Sequence, residues 1–266
     1  MKIVIKETRR PGFLQITTLG ERWYRRKSDS RDFASNTWIC SYVPMDDYLI
    51  DYIAKKGTEQ AKEDRAEKGR RGSRIHAAIE VLVLNPDTGI AINDVFPDGD
   101  GGEPRELDPD EYAAVMSFRD WWLDYKDSGI VEVLGVEMDY YNEGLGYACT
   151  ADLVCEVVTP KGRFLDVIDY KTGQSIHLEH QLQLEGITHT DEILALAAER
   201  KLTVRKFNLQ VGYRKNKAGF KFTEHTKDRW NLYLAAREFW LEDNAGKSPR
   251  EVEYPVKITL KKEDGK

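Results

Sequence analysis

Two aspartates and a lysine occur on segments that the sequence predicts to be neighbouring strands. Residues 146–173 read as two β-strands joined by a turn at 159–162. Asp152 lies on the first strand, and Asp169 and Lys171 end the second. Because side chains alternate along a strand, Asp169 and Lys171 project from one face, and hairpin pairing can bring Asp152 beside them. Two carboxylates and one ammonium at one end of a sheet form a site for a hard divalent cation and a phosphate.

The composition is that of a globular protein with a sizeable core. The chain has 266 residues, of which 41% are hydrophobic and 32% charged, which predicts one large domain or one domain with an appendage. The net charge of −6 does not by itself indicate a nucleic-acid binder, but it does not exclude one, because the distribution of charge matters more than its sum. There is no run of 18 apolar residues, and the charged start MKIVIKETRR lacks the character of a signal peptide, so we expect no membrane span.

Cysteine usage predicts a reducing compartment, and we therefore expect the cytoplasm. Cys40, Cys149 and Cys155 are an odd number without C-x-x-C spacing. Cys149 and Cys155 lie on an apolar strand, which favours buried thiols.

The predicted elements follow one another in an α/β order. Strands at 2–7 and 13–19 predict an N-terminal β-hairpin, to which residues 21–27 can add a third strand. Further predicted elements are helices at 45–60, 60–84 and 108–127, strands at 130–140, 146–158 and 163–170, a helix at 176–199, strands at 204–213 and 218–223, and a helix at 227–242. Three consecutive strands predict an antiparallel meander, and the next strand returns through a right-handed helical crossover. We expect a mixed central sheet with helices on both sides.

Five short motifs lie in order along these elements. They are RGSRIHAAIE at 71–80, Glu137 in GVEMDY, the strand from Gly146 to Asp152, DYKTG at 169–173, and HQLQ at 180–183. Together they resemble the PD-(D/E)XK nuclease superfamily, and its RecB-like exonuclease branch in particular, over roughly residues 35 to 215. The resemblance implies a restriction-endonuclease-like core (αβββαβ). It also implies a single nuclease domain over 1–266, with a catalytic core at 108–215 and a β appendage at 1–30.

The chain departs from this branch at three points. Ala151 stands where many members have a proline before the first aspartate, and Ile187 stands where many have a tyrosine four residues after the glutamine. The iron–sulfur members need four cysteines, whereas this chain has three at other places. The resemblance is therefore to cluster-free members, such as phage-encoded exonucleases and the mitochondrial DNA-maintenance exonuclease.

The resemblance implies a site for metal-dependent hydrolysis of phosphodiesters. Asp152 and Asp169 are the expected ligands of Mg²⁺ or Mn²⁺, which acidifies bound water and draws charge from the phosphoryl oxygens. The backbone carbonyl of Tyr170 can be a further ligand. His76 adds a nitrogen ligand, which suits Mn²⁺ somewhat better than Mg²⁺. Lys171 is expected to stay protonated between the carboxylates, where it orients the water and offsets negative charge.

Glu137 has two interpretations. It is either a metal ligand, direct or through a neighbour, or a strand residue that faces solvent. Alternation predicts that Glu137 shares a face with Gly135 and Asp139, and that Val136 and Met138 point the other way.

Other polar residues also leave two interpretations open. Gln183 either touches the scissile phosphate or the water, or is an ordinary polar residue near a helix start. Glu80 lies four residues after His76, and it either orients that imidazole ring or is a surface charge. The remaining histidines show no spacing typical of a zinc site, and we expect them on the surface or in the core; they are His177, His180, His189 and His225.

Two segments are candidates for DNA contact. A basic patch just before His76 either binds phosphates or is a solvated helix face; it comprises Arg70, Arg71 and Arg74. Ser35, Thr37 and Trp38 resemble the N-terminal Ser/Thr element of the branch, and Trp38 could stack on a base. We expect four other tryptophans to pack in the core; they are Trp121, Trp122, Trp230 and Trp240.

The sequence therefore predicts a divalent-metal-dependent DNA exonuclease. We expect it to act on single-stranded DNA or duplex ends in recombination, repair or phage DNA processing, in the cytoplasm (the host cytoplasm if it is phage-encoded). A recombination or replication protein is a candidate partner. One alternative is a structure- or site-specific endonuclease, which would also cut circular single strands. The other is a catalytically silent nucleic-acid-binding protein.

Overall fold

The first third of the chain forms a β-meander followed by three helices. The computed structural model describes residues 3–18, 20–45, 47–99 and 102–251. The first elements are β1 (Val4–Glu7), β2 (Phe13–Thr18), β3 (Glu21–Arg26), β4 (Arg31–Ser35), α1 (Asn36–Cys40), α2 (Asp47–Lys56) and α3 (Thr58–Leu84).

The rest of the described chain alternates strands and helices around a long central hairpin. Its elements are β5 (Val95–Phe96), β6 (Arg105–Glu106), α4 (Pro109–Asp127), β7 (Ile130–Asn142), β8 (Tyr147–Thr159), β9 (Gly162–Lys171), α5 (Leu178–Thr188), α6 (Asp191–Arg200), β10 (Thr203–Val211), β11 (Phe220–Glu224) and α7 (Trp230–Asn244).

The main sheet is mixed, and β8 is its central strand. The strands β7 and β9 both pair antiparallel with β8, β10 pairs parallel with β9, and β11 pairs antiparallel with β10. The meander β1–β4 joins the same sheet, because β4 pairs parallel with the start of β8 through Ala34–Tyr147 and Ser35–Ala148. The prediction of an α/β protein with a mixed central sheet and flanking helices is confirmed.

Helices cover both faces of the central strands. On one face, α3 and α4 pack against β8, β9 and β10 in a cluster that includes Ile75, Phe118, Leu153, Ile168 and Leu209. On the other face, α5 and α6 pack against β8 and β9 in a cluster that includes Val154, Leu165, Val167, Leu184 and Ile193. The even and odd residues of β9 thus go to opposite faces, as the alternation predicted.

Local sequence explains where two of the helices begin. Asp108 caps α4: its side chain accepts a hydrogen bond from Glu111 N–H, and the Glu111 side chain accepts one from Asp108 N–H. The prediction of a single helix at 176–199 is wrong, because His189 and Thr190 separate α5 from α6. Thr190 is extended and precedes Asp191 and Glu192, which are favourable in the first turn of a helix.

The N-terminal prediction was incomplete. A fourth strand, β4, follows the three strands indicated by the sequence. It is short and begins with charged residues, and only its last three residues are buried, so its pattern is weak. Its position beside β8 makes the meander a continuation of the main sheet.

The cysteine and tryptophan predictions agree with the structure. All three cysteines are buried free thiols. Trp121 and Trp240 are buried in the core, and Trp122 and Trp230 pack against it. Within the described residues, no helix is both long and apolar enough to cross a bilayer.

Candidate functional site

An imidazole and two carboxylates meet where α3, β7 and β8 come together. His76 Nδ1 lies 3.2 Å from Glu137 Oε1 and 3.4 Å from Asp152 Oδ1. One ligand atom from each of these residues lies within 4.8 Å of the other two. This donor set of one nitrogen and two oxygens fits Mn²⁺ or Mg²⁺. We call His76, Glu137 and Asp152 the metal triad.

The geometry of β7 brings Glu137 into the metal triad. Val136 pairs with Leu153 and Met138 with Ala151, so Glu137 lies across from Asp152. Glu137 has φ +46°, in the left-handed region that side chains rarely adopt. The predicted alternation is wrong in part. Glu137 and Asp139 line the same cleft, in agreement with the side predicted for them. Val136, however, packs in the cluster under α3 and α4, whereas Met138 packs against the cluster under α5 and α6. The left-handed residue interrupts the two-residue repeat on which that prediction depended.

The charges of the metal triad compensate one another. Burial opposes the charged form of His76, but Asp152 and Glu137 outweigh it and hold the pKa of His76 well above 6.5. Burial also opposes ionisation of Asp152, yet His76, Lys171 and the Tyr170 N–H together lower its pKa. Burial and the Asp152 charge raise the pKa of Glu137. A proton on His76 thus balances negative charge that a cation at these three residues would also balance, so a cation would have to displace that proton.

Asp169 and Lys171 form a second polar group at the end of β9. Lys171 Nζ lies 2.5 Å from Asp169 Oδ2 and donates to Gln183 Oε1 at 3.1 Å. Burial opposes the ammonium, but Asp169 and Asp152 outweigh it and raise the pKa of Lys171, so the side chain is protonated as expected. Burial raises the pKa of Asp169, as does the neighbouring Asp152, while Lys171 opposes the rise.

Asn208 was missed by the sequence reasoning. It lies opposite Asp169 in the parallel β9–β10 register, and its Nδ2 donates to Asp169 Oδ2 at 2.7 Å. A buried asparagine within the apolar strand sequence FNLQV was the available signal. Both Lys171 and Asn208 contact Oδ2, so Oδ1 is the Asp169 oxygen that can turn to a cation. A direct ligand role for Asp169 stays a prediction.

Tyr170 connects the two groups through its backbone. Its N–H donates to Asp152 Oδ2 at 2.6 Å, and its ring meets the edge of the His76 ring at a centroid distance of 5.5 Å. The peptide bond between Asp169 and Tyr170 therefore holds the Asp152 carboxylate in place. The predicted role of the Tyr170 carbonyl as a metal ligand stays a prediction.

Gln183 is held at the site by the packing of α5 against α1. Asn36 Nδ2 donates to the carbonyl of Gln183 at 2.9 Å. Gly186, one turn later, lets the two helices approach, because a Cβ there would clash with the Asn36 side chain. The interpretation of Gln183 as an incidental polar residue is therefore less favoured than a placed side chain beside Lys171.

Both polar groups lie on the wall of one cleft of about 750 Å³. Among its described lining residues, six carboxylates face four permanent cations: Glu7, Glu80, Glu137, Asp139, Asp152 and Asp169 against Lys6, Arg9, Arg22 and Lys171. His180, which we expected on the surface or in the core, also lines the cleft. The excess of carboxylates favours cation binding.

One of the three predicted DNA contacts on α3 needs correction. Arg74 is only 1% exposed and forms ion pairs with Glu111 and Asp98, so it is a buried structural residue. Arg70 is exposed and pairs with Glu67. Neither Arg70 nor Arg71 is among the residues that line the cleft, and contact of these two arginines with DNA stays a prediction.

The other predicted DNA-binding element is partly internal. Ser35 is buried. Trp38 is half-buried and packs edge-on against Trp23 and Trp240, with ring centroids 5.2 Å apart in both pairs, so it contributes to the core, and base stacking by Trp38 stays a prediction. Thr37 lines the cleft, so it remains a candidate for contact with DNA.

Glu80 forms an ion pair with Arg9, from the turn after β1. This contact gives the Glu80 carboxylate a partner other than the His76 ring. The ring is held by Glu137 and Asp152 instead.

Comparison with known proteins adds no family assignment. No family model matches the chain, and no curated protein matches it. The candidate function therefore depends on the residues and the geometry described above.

Proposed function

We propose that the chain is a divalent-metal-dependent DNA exonuclease that hydrolyses phosphodiester bonds in single strands or at duplex ends. The observation that carries this proposal is the meeting, in one cleft, of the metal triad with Lys171 held by Asp169 and Gln183. The order α4, three antiparallel strands, two helices and a parallel strand supports a restriction-endonuclease-like core. Recombination, repair or phage DNA processing in the cytoplasm is the proposed setting.

The chain's own residues prepare the site for a phosphate. A divalent cation at the metal triad would supply an acidified water and would draw charge from the phosphoryl oxygens. Lys171 is a protonated donor fixed by two partners, so it can offset negative charge on the phosphate without reorganising. Tyr170 N–H holds the Asp152 carboxylate in place. Gln183 is placed to contact either the phosphate or the water.

Digestion of end-labelled DNA tests this proposal. Linear single strands, with the 5′ or the 3′ end blocked in turn, are incubated with Mg²⁺ or Mn²⁺ and resolved by size. We expect cleavage that needs the metal and one free end. Circular single strands should be spared. Cleavage of circular strands would show that the protein is an endonuclease that uses the same site, and not an exonuclease.

Paired variants locate the activity. Lys171→Met and Asp152→Asn should abolish cleavage, because they remove the ammonium and one triad carboxylate, while DNA affinity of Lys171→Met stays within a few-fold. Lys161→Met and Asp120→Asn make the same chemical changes at exposed positions that do not line the cleft, and should cut normally. Full activity of Lys171→Met would place the reaction elsewhere. Absence of any metal-dependent cleavage by the parent would favour a silent binding protein.

A further inference from the structure

The inner strand β10 carries polar side chains on one of its faces. Phe207, Leu209 and Val211 pack in the cluster under α3 and α4. Side chains alternate along a strand, so the residues between these three point to the other face. Two of them are amides within the sheet, and Asn208 is fully buried while Gln210 is only 1% exposed. Buried amides need polar partners, because their desolvation is otherwise uncompensated.

Both amides bond to the segment that carries Lys171. Asn208 lies opposite Asp169 in the parallel register, and its Nδ2 donates to Asp169 Oδ2 at 2.7 Å. Gln210 lies opposite Lys171, and its Nε2 donates to the carbonyl of Gly173 at 2.9 Å. The amides of β10 therefore hold this segment on both sides of Lys171.

The side chain of Asn208 is placed for its amide nitrogen alone. The nitrogen must face Asp169, because the amide oxygen would meet the carboxylate as a second acceptor. Within the described part of the chain, Asn208 Oδ1 is buried and has no hydrogen-bond partner. A buried acceptor without a partner costs free energy. Stability alone therefore does not favour asparagine at this position, and the contact with Asp169 is what the residue contributes.

Asp169 Oδ2 has two donors, of which Asn208 is the rigid one. Lys171 Nζ lies 2.5 Å from this oxygen, at the end of a flexible side chain. Asn208 is short and buried, and it belongs to a strand with neighbours on both sides. If Lys171 turns towards a phosphate, Asn208 still holds Oδ2, and Oδ1 remains the oxygen that a cation can reach.

We infer that Asn208 is a positioning residue, which holds the Asp169 carboxylate so that Oδ1 is presented to a divalent cation in the cleft. This inference deepens the proposed function and rests on its cation site. Removal of a hydrogen bond that orients a metal ligand lowers metal affinity or activity by about 10- to 100-fold. A neutral amide orients the carboxylate without adding a positive charge that would compete with the cation.

Mn²⁺ binding without DNA tests the inference. The full chain is titrated with Mn²⁺ at constant pH, and free Mn²⁺ is measured by electron paramagnetic resonance. Asn208→Leu should bind Mn²⁺ at least about tenfold more weakly than the parent, because the Asp169 carboxylate is no longer oriented. Its melting temperature without metal should stay close to that of the parent, because the buried acceptor is removed together with the donor. Asn208→Val removes the same amide with less bulk, and decides the question if Asn208→Leu does not fold.

A double-mutant cycle shows whether Asn208 acts through Asp169. Asp169→Asn should itself weaken Mn²⁺ binding. Asp169→Asn/Asn208→Leu should then bind Mn²⁺ like Asp169→Asn, because the carboxylate that Asn208 orients is already gone. Asn244→Leu removes another buried asparagine, on α7 and not in the lining of the cleft, and should bind Mn²⁺ like the parent.

The outcomes separate this inference from the proposed function. Parental Mn²⁺ affinity in the folded Asn208 variants would overturn the positioning role, even if the parent cuts DNA. Parental affinity in Asp169→Asn would also overturn it, as would an equal further loss when Asn208→Leu is added to Asp169→Asn. The expected cycle, with no cleavage of DNA by the parent in any metal, would support the positioning role and overturn the nuclease. A parent that binds no Mn²⁺ overturns the positioning role.

Discussion

At the scale of single residues, buried ion pairs determine which charges are free to act. Arg74 and Glu111 are almost fully buried and pair with each other, and Glu111 also caps α4. An arginine that the sequence placed in a DNA-binding patch is therefore part of the scaffold that holds α3 against α4. The position of His76, two residues later on α3, depends on that scaffold.

Arg74→Leu should lower the free energy of unfolding by about 3–5 kcal/mol, because it removes the buried guanidinium that faces the buried Glu111 carboxylate. Urea unfolding measures the change. Arg74→Leu/Glu111→Leu should lose less than the two single variants together, since the two fully buried charges are then removed as a pair. Arg70→Leu, one turn earlier and exposed, should stay within about 0.5 kcal/mol of the parent. A parental midpoint for Arg74→Leu would contradict the role of this pair.

His76→Ala should raise the Mn²⁺ concentration needed for half-maximal cleavage by at least about tenfold, because it removes the nitrogen ligand of the metal triad. The unfolding midpoint should change much less. Metal titrations of cleavage, compared with His177→Ala at an exposed position off the cleft, measure the effect. Identical titrations for His76→Ala and the parent would remove His76 from the ligand set.

At the scale of elements, the hairpin of β8 and β9 and the first three strands of the meander were predictable, whereas β4 and its pairing with β8 were not. The turn at Gly162 and the alternation along β9 are local signals, so the sequence placed Asp169 and Lys171 on one face. The contact of β4 with β8 spans more than a hundred residues, and nothing in the short sequence of β4 indicates it.

The remaining errors of prediction also arise from tertiary structure. The left-handed backbone at Glu137 cannot be inferred from alternation. The burial of Arg74 depends on Glu111, and the packing of Trp38 depends on Trp240; both partners lie far along the chain. By contrast, the break between α5 and α6 carried a readable signal in Thr190, an N-cap residue followed by two acids.

The end of β11 carries a pH-dependent contribution to stability. Burial lowers the pKa of His225 below 6.5, and the positive charges of Arg229 and Lys206 add to the effect. His225 therefore binds a proton more readily in the unfolded chain than in the folded one. As the pH falls below about 6.5, His225 makes the folded state less stable, and this loss ends once the pH reaches the folded-state pKa of His225. His225→Gln should lose less stability than the parent between pH 7 and pH 5 in urea unfolding. An equal loss in both proteins would contradict this contribution.

At the scale of the whole molecule, the cleft concentrates negative charge in a protein that is already anionic. The excess of carboxylates among the described lining residues repels itself in the absence of a cation. Five of these six carboxylates lie on strands of the main sheet, and Glu80 lies on α3, so relief of their repulsion should stabilise the fold as a unit.

Mn²⁺ or Mg²⁺ should therefore raise the melting temperature, and EDTA should reverse the rise. A cation at 100 times its dissociation constant stabilises the folded state by about 2.7 kcal/mol. Asp152→Asn should show a much smaller rise, whereas Asp120→Asn, exposed on α4, should respond like the parent. Differential scanning fluorimetry over a metal series measures this. A rise of equal size in Asp152→Asn would place the stabilising cation outside the metal triad.

The left-handed backbone at Glu137 has an evolutionary consequence. A non-glycine residue held there costs roughly 1–3 kcal/mol, so the proposed function predicts that the glutamate is retained for its carboxylate against that cost. Glycine would relax the strand and remove a carboxylate of the metal triad in a single step. Under the proposed function, related chains that do not cleave DNA should therefore carry glycine or asparagine at this position more often than related chains that do.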